Sequence, residues 1–256
     1  MVEFDAKNCA AVIPCFNEAA GIRALVPALR RHLPRVLVVD DGSTDGTGPL
    51  ARAAGALVVR HARNWGKGAA LKTGLGCALA LGHEWAVALD GDGQHGPDDL
   101  AALFQCARAT GALLVVGNRL TAGEARKIPW LRRQVNRWMS GQLSRRAGRL
   151  LPDTQSGFRL IHLATWASLP LRTQRFEVES ETLLAFLAAG HRVEFAPVRV
   201  ISSGRKSHIE PIADSVRWLK WWWAGSFGAP RPGLPTPTRR SASRRPGQGG
   251  RLCYPC

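Results

Sequence analysis

Short apolar runs rich in β-branched residues recur through the first 120 positions, each closed by turn-forming residues. They predict strands at Cys9–Ile13, Val36–Val39, Leu57–Arg60, Trp85–Leu89 and Leu113–Val116, with a sixth at Val193–Val200. Helical stretches separate the first five, around residues 18–32, 44–54, 67–82 and 97–109. Strands alternating with helices imply βαβ units, hence an α/β fold with a mostly parallel central sheet and helices on both faces. In such sheets ligands collect at the carboxyl ends of the strands. This chain concentrates its acids and glycines there. The first strand runs into Pro14-Cys15-Phe16-Asn17-Glu18, the second into Asp40-Asp41-Gly42-Ser43-Thr44-Asp45, and the fourth into Asp90-Gly91-Asp92-Gly93-Gln94.

After residue 118 the alternation stops. A basic helical region leads into a turn-rich segment, Asp153-Thr154-Gln155-Ser156-Gly157-Phe158-Arg159, and this half reads as the acceptor side. From Ala224 onward 12 of 33 residues are Gly or Pro with almost no periodic apolar pattern, so residues 224–256 read as a disordered tail.

At 256 residues and 45% hydrophobic, the chain holds one substantial core, so a single domain with appendages is expected. The net charge of +16 is unevenly placed: residues 224–256 carry six arginines and no acid, and residues 124–149 carry eight basic residues against Glu124. The remaining scaffold is nearly neutral, and no nucleic-acid partner is expected. Six scattered cysteines and no cleavable leader pattern fit a reducing cytosol. Cys253 and Cys256 have CxxC spacing, but no second Cys/His pair completes a zinc site. No run approaches the roughly 18 apolar residues of a spanning helix, so the protein is expected to touch a bilayer without crossing it.

Asp90 and Asp92 flank a glycine at a strand end, where residues two apart point to one side, so both carboxylates are placed to grip one cation. Hard oxygen ligands with room for phosphate oxygens suit Mg2+ or Mn2+, and Gln94, two residues on, offers a neutral oxygen. Asp40 and Asp41 are placed to accept from a base N–H or ribose hydroxyls, while Asp45 or Ser43 is expected to cap the next helix. Asn64-Trp65-Gly66-Lys67-Gly68 is not a Walker A loop, because His61 and Gly68 stand where that motif needs glycine and Ser/Thr. Gly74 and Gly76 lack the third glycine of a dinucleotide fingerprint, since residue 79 is Leu.

Taken in order, Pro14-x-x-Asn17-Glu18, Asp40-Asp41-Gly42-Ser43-Thr44-Asp45-Gly46-Thr47, Asn64-x-Gly66-Lys67-Gly68, Asp90-Gly91-Asp92-Gly93-Gln94-His95 and Ser156-Gly157-Phe158-Arg159 resemble the family 2 glycosyltransferases. The similarity is greatest to the branch of dolichol-phosphate mannose synthases and bacterial polyprenyl-phosphate glycosyltransferases, and runs from about residue 8 to 215. It implies a GT-A nucleotide-diphospho-sugar transferase fold and inversion at the anomeric carbon. On that basis residues 1–223 are the catalytic domain, with 8–118 the nucleotide-sugar half and 119–223 the acceptor half. The resemblance also implies that Pro14, Phe16, Glu18 and Asp41 surround the nucleoside and that Asp90, Asp92 and Gln94 hold the metal. Lys67 lies in a cationic loop beside the donor. Arg119, Arg159, Arg205 and Lys206 match basic positions used near diphosphate or acceptor phosphate, with Asp92, Arg119 and Arg159 expected to carry the chemistry. Phe16 replaces the tyrosine usual there, leaving stacking without a hydroxyl.

The implied substrates are a UDP- or GDP-sugar and, as acceptor, a polyprenyl phosphate or another lipid. A lipid phosphate is already an anion and needs no general base; a hydroxyl acceptor would need one, and Glu177, Glu179 and Glu181 are the visible candidates unless they only mark a helix start. Within 126–143, helical spacing places Leu131, Val135, Trp138 and Met139 on one face and Arg126, Arg133 and Arg137 opposite, and residues 216–223 hold four tryptophans beside Arg217 and Lys220. Both segments suit an anionic membrane interface, which would make the protein peripheral on the cytoplasmic face; packing on the sheet is the alternative. Nucleotidyl transfer would require a glycine-rich loop near the first strand, and a non-enzymatic basic protein that binds RNA or membrane would leave the clustered acids unexplained.

Overall fold

The computed structural model describes residues 4–121, 123–173, 175, 177–201 and 218–223. Among the described residues seven strands form one sheet: β1 Cys9–Cys15, β2 Arg35–Asp40, β3 Leu57–Arg60, β4 Trp85–Ala88, β5 Leu114–Asn118, β6 Arg159–His162 and β7 Val193–Pro197. Their spatial order is β3-β2-β1-β4-β6-β5-β7. The β3, β2, β1 and β4 neighbours pair in parallel, as do β5 and β7, whereas β6 runs antiparallel to both β4 and β5.

Six of these strands match the hydrophobic pattern. β6 does not announce itself, because its four residues Arg-Leu-Ile-His form too short a run and carry polar groups at both ends. It is a strand because it fills the gap between β4 and β5, meeting ladder groups that would otherwise lie buried without partners.

Among the described residues the sheet is surrounded by the α-helices α1 Ala19–Arg30, α2 Thr47–Ala53, α3 Lys67–Ala80, α4 Leu100–Thr110, α5 Trp130–Ala147, α6 Leu163–Ala167 and α7 Val178–Ala188, and residues 218–223 are also helical. α2 begins later than the pattern predicts because Gly46, at φ 86°, sets its start. The Asp45 carboxylate accepts from the Thr47 amide and hydroxyl at 3.0 and 2.5 Å, so it does serve the first turn of α2.

Alternation along each strand divides the core in two. Cys9, Ala11 and Ile13 of β1 join Ile22, Leu29, Leu103 and Phe104 on one face, covered by α1 and α4. Ala10 and Val12 join Leu71, Leu75, Leu143 and Phe186 on the other, covered by α3, α5 and α7. The two halves of the chain therefore share one sheet. This sheet aims the ends of β1, β2 and β4 at a common edge, and α3 and α7 bring their first turns to the same edge. No helix among the described residues is long and apolar enough to cross a membrane.

Candidate active site

The exits of β1 and β2 are tied together. Asn17, at φ 56°, takes the left-handed conformation that Asn tolerates better than most residues. Its amide donates to Ser43 Oγ at 3.0 Å, and its own Oδ1 accepts from the Thr44 amide at 2.9 Å. The next two amides, Glu18 and Ala19, donate to Thr47 Oγ1 and Asp45 Oδ2 at 2.8 and 3.0 Å. Ser43, expected as a possible cap, thus serves the β1 exit.

Asp41 is buried, and both its oxygens are engaged: Oδ1 with His61 Nδ1 at 2.6 Å and the Trp65 amide at 3.0 Å, Oδ2 with the Gly66 amide at 2.8 Å. His61 is held from behind by Thr73 Oγ1 at 3.0 Å. Asp41 therefore anchors the 61–66 loop, in addition to any contact with a ligand.

The Asp90-Gly91-Asp92 turn lies against the β1 exit. A Cβ on Gly91 would fall 2.7 Å from Cys15 Sγ and 3.3 Å from the Glu18 side chain, so only glycine lets the two exits meet this closely. Lys67, the first residue of α3, places its ammonium 2.6 Å from Asp90 Oδ1 and 2.7 Å from Glu179 Oε1. Burial opposes ionisation of Asp90, but Lys67, His95 and Arg119 outweigh it and hold its carboxyl at about 2. Asp92 moves the other way: burial first, then the Asp90 charge, raise it above the ordinary carboxylate value. His95, stacked on Phe158 with ring centroids 5.0 Å apart, is pushed down to about 4 by burial and by Arg119, so it is neutral at pH 7. Pro14, Lys67, Asp90, Gly157, Arg159 and Glu179 line a common cleft.

The pair Asp90 and Asp92 fits a hard divalent cation, since a cation relieves the repulsion that raises Asp92. Among the described residues no third His, Cys, Asp or Glu joins them into a cluster. Mg2+ and Mn2+ suit such a site because they take remaining oxygens from a diphosphate and water. The Gln94 amide donates to Asp92 Oδ1 at 3.0 Å, and its carbonyl accepts from the Ile201 amide at 3.1 Å.

The raised Asp92 has a consequence for stability. A carboxyl whose folded pKa lies above its unfolded one costs stability as it ionises, so that cost is absent below the unfolded value and grows as pH rises through the folded one. Asp92→Asn is therefore expected to raise Tm at pH 7 in the absence of divalent cation. The gain should vanish below about pH 4, where the wild-type carboxyl is protonated in both states. Equal melting of the two proteins at pH 7 would contradict this assignment.

Three arginines differ in what they touch. Arg119 is buried in a bidentate pair with Asp153, Nε to Oδ2 at 2.9 Å and Nη2 to Oδ1 at 3.0 Å. Arg159 is also buried, and its guanidinium donates to the backbone carbonyls of Ser156, Glu179 and Thr154 at 2.7, 2.5 and 2.8 Å. It ties the 154–156 turn to α7. Arg132 on α5 has no counterpart in the sequence reading. Its charge is felt at Arg119 on one side and at Asp90, Asp92 and Asp153 on the other, and burial and then Arg119 lower its pKa. It is one of eight basic residues scattered through 124–149, and only the fold separates it from the others. Arg205 and Lys206, along with Phe176, Arg217 and the 224–256 tail, lie outside the described residues.

Of the three acids considered as bases, Glu181 accepts from the Arg172 and Thr173 amides and the Thr173 hydroxyl at 2.7, 2.9 and 2.6 Å, holding a turn. Glu179 is paired with Lys67, and Glu177 is buried.

The chain is similar to known proteins in both sequence and shape. It is 29% identical over 211 residues to the UDP-N-acetylglucosamine--dolichyl-phosphate N-acetylglucosaminyltransferase of Methanococcus voltae, covering 74% of this chain and 84% of that protein. It is 32% identical over 157 residues to the polyprenol monophosphomannose synthase of Mycolicibacterium smegmatis, covering 58% of this chain and 59% of that one. Glucosyl-3-phosphoglycerate synthase from Mycobacterium tuberculosis, crystallised with Mn2+, UDP and phosphoglyceric acid, superposes with a TM-score of 0.65 over 84% of this chain and 77% of that one, at 22% identity, which establishes the GT-A fold. The profile of Glycosyl transferase family 2 matches residues 10–164, and the chain, an enzyme of GT-A fold, belongs to that family.

Proposed function

We propose that this glycosyltransferase moves a sugar, with inversion, from a nucleoside diphosphate sugar to a polyprenyl phosphate at an anionic membrane surface, using Mg2+ or Mn2+. The observation that carries the acceptor assignment is the engagement of two of the three acids at the start of α7. Glu181 holds a turn and Glu179 holds Lys67, which favours an acceptor that arrives already ionised over a hydroxyl that must be deprotonated. Arg119 and Arg132 beside the acidic turn supply the positive field such a phosphate needs. The relatives named for dolichyl-phosphate and polyprenol substrates support the same reading.

In this account Pro14, Phe16, Glu18 and the Asp41-anchored loop receive the nucleoside, and Asp90, Asp92 and the Gln94 side chain hold the cation. The cation would neutralise charge on the departing nucleoside diphosphate. Lys67 and Arg119 add positive charge near the same group, the resemblance adds Arg205 and Lys206, which lie outside the described residues, and the acceptor phosphate attacks from the opposite face of the sugar. Residues 1–223 form the catalytic domain, with 224–256 outside it. Arg132→Ala is expected to raise KM for the lipid phosphate about tenfold, with a smaller effect on KM for the donor. An unchanged acceptor KM would remove Arg132 from the acceptor site.

The membrane assignment rests on α5 and residues 218–223. α5 buries Asn136, Met139, Ser140 and Leu143, but leaves Trp130 65%, Leu131 58% and Trp138 47% exposed, and Trp223 is 82% exposed. The expected apolar face is thus split: Met139 packs inward, while Leu131 and Trp138 face outward. α5 also carries five arginines and no acid. Tryptophans beside arginines suit the headgroup layer, where each basic residue contributes about 1 kcal/mol at an anionic leaflet. In liposome flotation, binding should require anionic lipid, weaken with salt and fall when Trp130 and Trp138 become Ala. Equal recovery in the soluble fraction with neutral and anionic vesicles would overturn the membrane assignment and move the acceptor to a soluble molecule.

A further inference from the structure

We propose that Lys67 is the resident cation of Asp90 in the donor-free enzyme, and that Glu179 is a positioning residue that keeps Lys67 in the site when a divalent cation takes Asp90. The inference rests on the reading of Asp90 and Asp92 as the metal pair. The Lys67 ammonium bridges Asp90 Oδ1 and Glu179 Oε1 at 2.6 and 2.7 Å, both carboxylates lying in the same cleft. The space is confined: a Cβ on Gly157 would fall 2.8 and 2.9 Å from the two Asp90 oxygens and 3.0 Å from Lys67 Nζ. A dication on Asp90 would meet the ammonium at a few ångströms in a weakly screened setting, so the two cations compete for the carboxylate.

Glu179 gives the displaced ammonium somewhere to stay. Its Oε1 already holds Lys67, and its Oε2 is buried without a hydrogen-bond partner among the described residues. A buried acceptor left unused is costly unless some state of the protein uses it. An ammonium leaving Asp90 has that oxygen within reach of its flexible stem, and it then remains beside the place where a diphosphate binds. The arrangement keeps Asp90 compensated before the donor arrives and preserves Lys67 for the donor afterwards.

The test is Mn2+ binding to the whole donor-free chain, read by the loss of the free-ion electron paramagnetic resonance signal. Lys67→Met, which keeps the stem and removes the charge, should tighten Mn2+ about tenfold, whereas Lys67→Arg should stay within about twofold of wild type. Lys67→Gln replaces Lys67→Met if circular dichroism shows the latter unfolded. Glu179→Gln should weaken Mn2+ in the wild-type background and have a much smaller effect beside Lys67→Met, because Glu179 acts through the lysine. Neutral variants that bind Mn2+ no more tightly than wild type would overturn the role of Lys67, and an equal loss from Glu179→Gln in both backgrounds would overturn that of Glu179. Asp90→Asn separates the two levels of the claim. If it binds Mn2+ as wild type does, the metal lies elsewhere, and the metal assignment fails together with this one.

Discussion

Asp92→Ala is expected to lower the transfer rate by at least about a thousandfold, roughly 4 kcal/mol of transition-state stabilisation, without loss of fold. The first half follows from charge. If Asp90 and Asp92 hold the dication, deleting one of the two carboxylates weakens the site that would supply positive charge to the leaving group. The second half follows from the cost of the Asp92 charge in the folded state. Its carboxylate accepts from the Gln94 amide at 3.0 Å within its own turn, and burial and Asp90 disfavour its charged form. The side chain serves the site at some cost to the fold, so its removal should leave Tm unchanged or higher. Turnover like that of the wild type would refute the metal assignment, and a collapse of Tm would place Asp92 among the structural residues.

Arg159→Ala should have the opposite signature, a loss of stability of about 3–5 kcal/mol, with activity lost because the protein unfolds. The resemblance to related enzymes places Arg159 among the phosphate-facing positions, but its guanidinium is spent on three backbone carbonyls from Thr154, Ser156 and Glu179. Burial lowers its pKa to about 10, still well above neutrality, so the group stays charged at pH 7. Without it three buried carbonyls lose their donor, and the turn that carries Gly157 to within a Cβ's reach of Asp90 comes loose from α7. Urea titration monitored by fluorescence measures the change. A variant as stable as wild type but inactive would return Arg159 to direct contact with substrate.

The parallel half of the sheet was legible in the sequence because its strands are short apolar runs, two of them, β2 and β4, closed by aspartate and glycine, a pattern local to each segment. Arg159–His162 escaped because its strand character comes from two neighbours distant in sequence, β4 and β5. The same distinction holds at the site. The acids of the Asp90-Gly91-Asp92 turn could be located from their position after an apolar run. The commitments of Arg159 to carbonyls, of Asp41 to the 61–66 loop and of Glu181 to the 172–173 turn depend on contacts between segments, which no spacing encodes. Arg132 shows the converse: one of several basic residues is set apart only when the fold brings its charge within range of Asp90, Asp92 and Asp153.

The central claim is metal-dependent sugar transfer to a lipid phosphate, and sugar-labelled UDP- and GDP-donors incubated with the chain and a polyprenyl phosphate measure it directly. With the correct donor, label should enter the organic phase only when both the lipid phosphate and Mg2+ or Mn2+ are present, one nucleoside diphosphate being released per sugar transferred. Transfer that persists in a chelator, or no organic-phase label with any of these donors while label moves to a soluble acceptor, would contradict it.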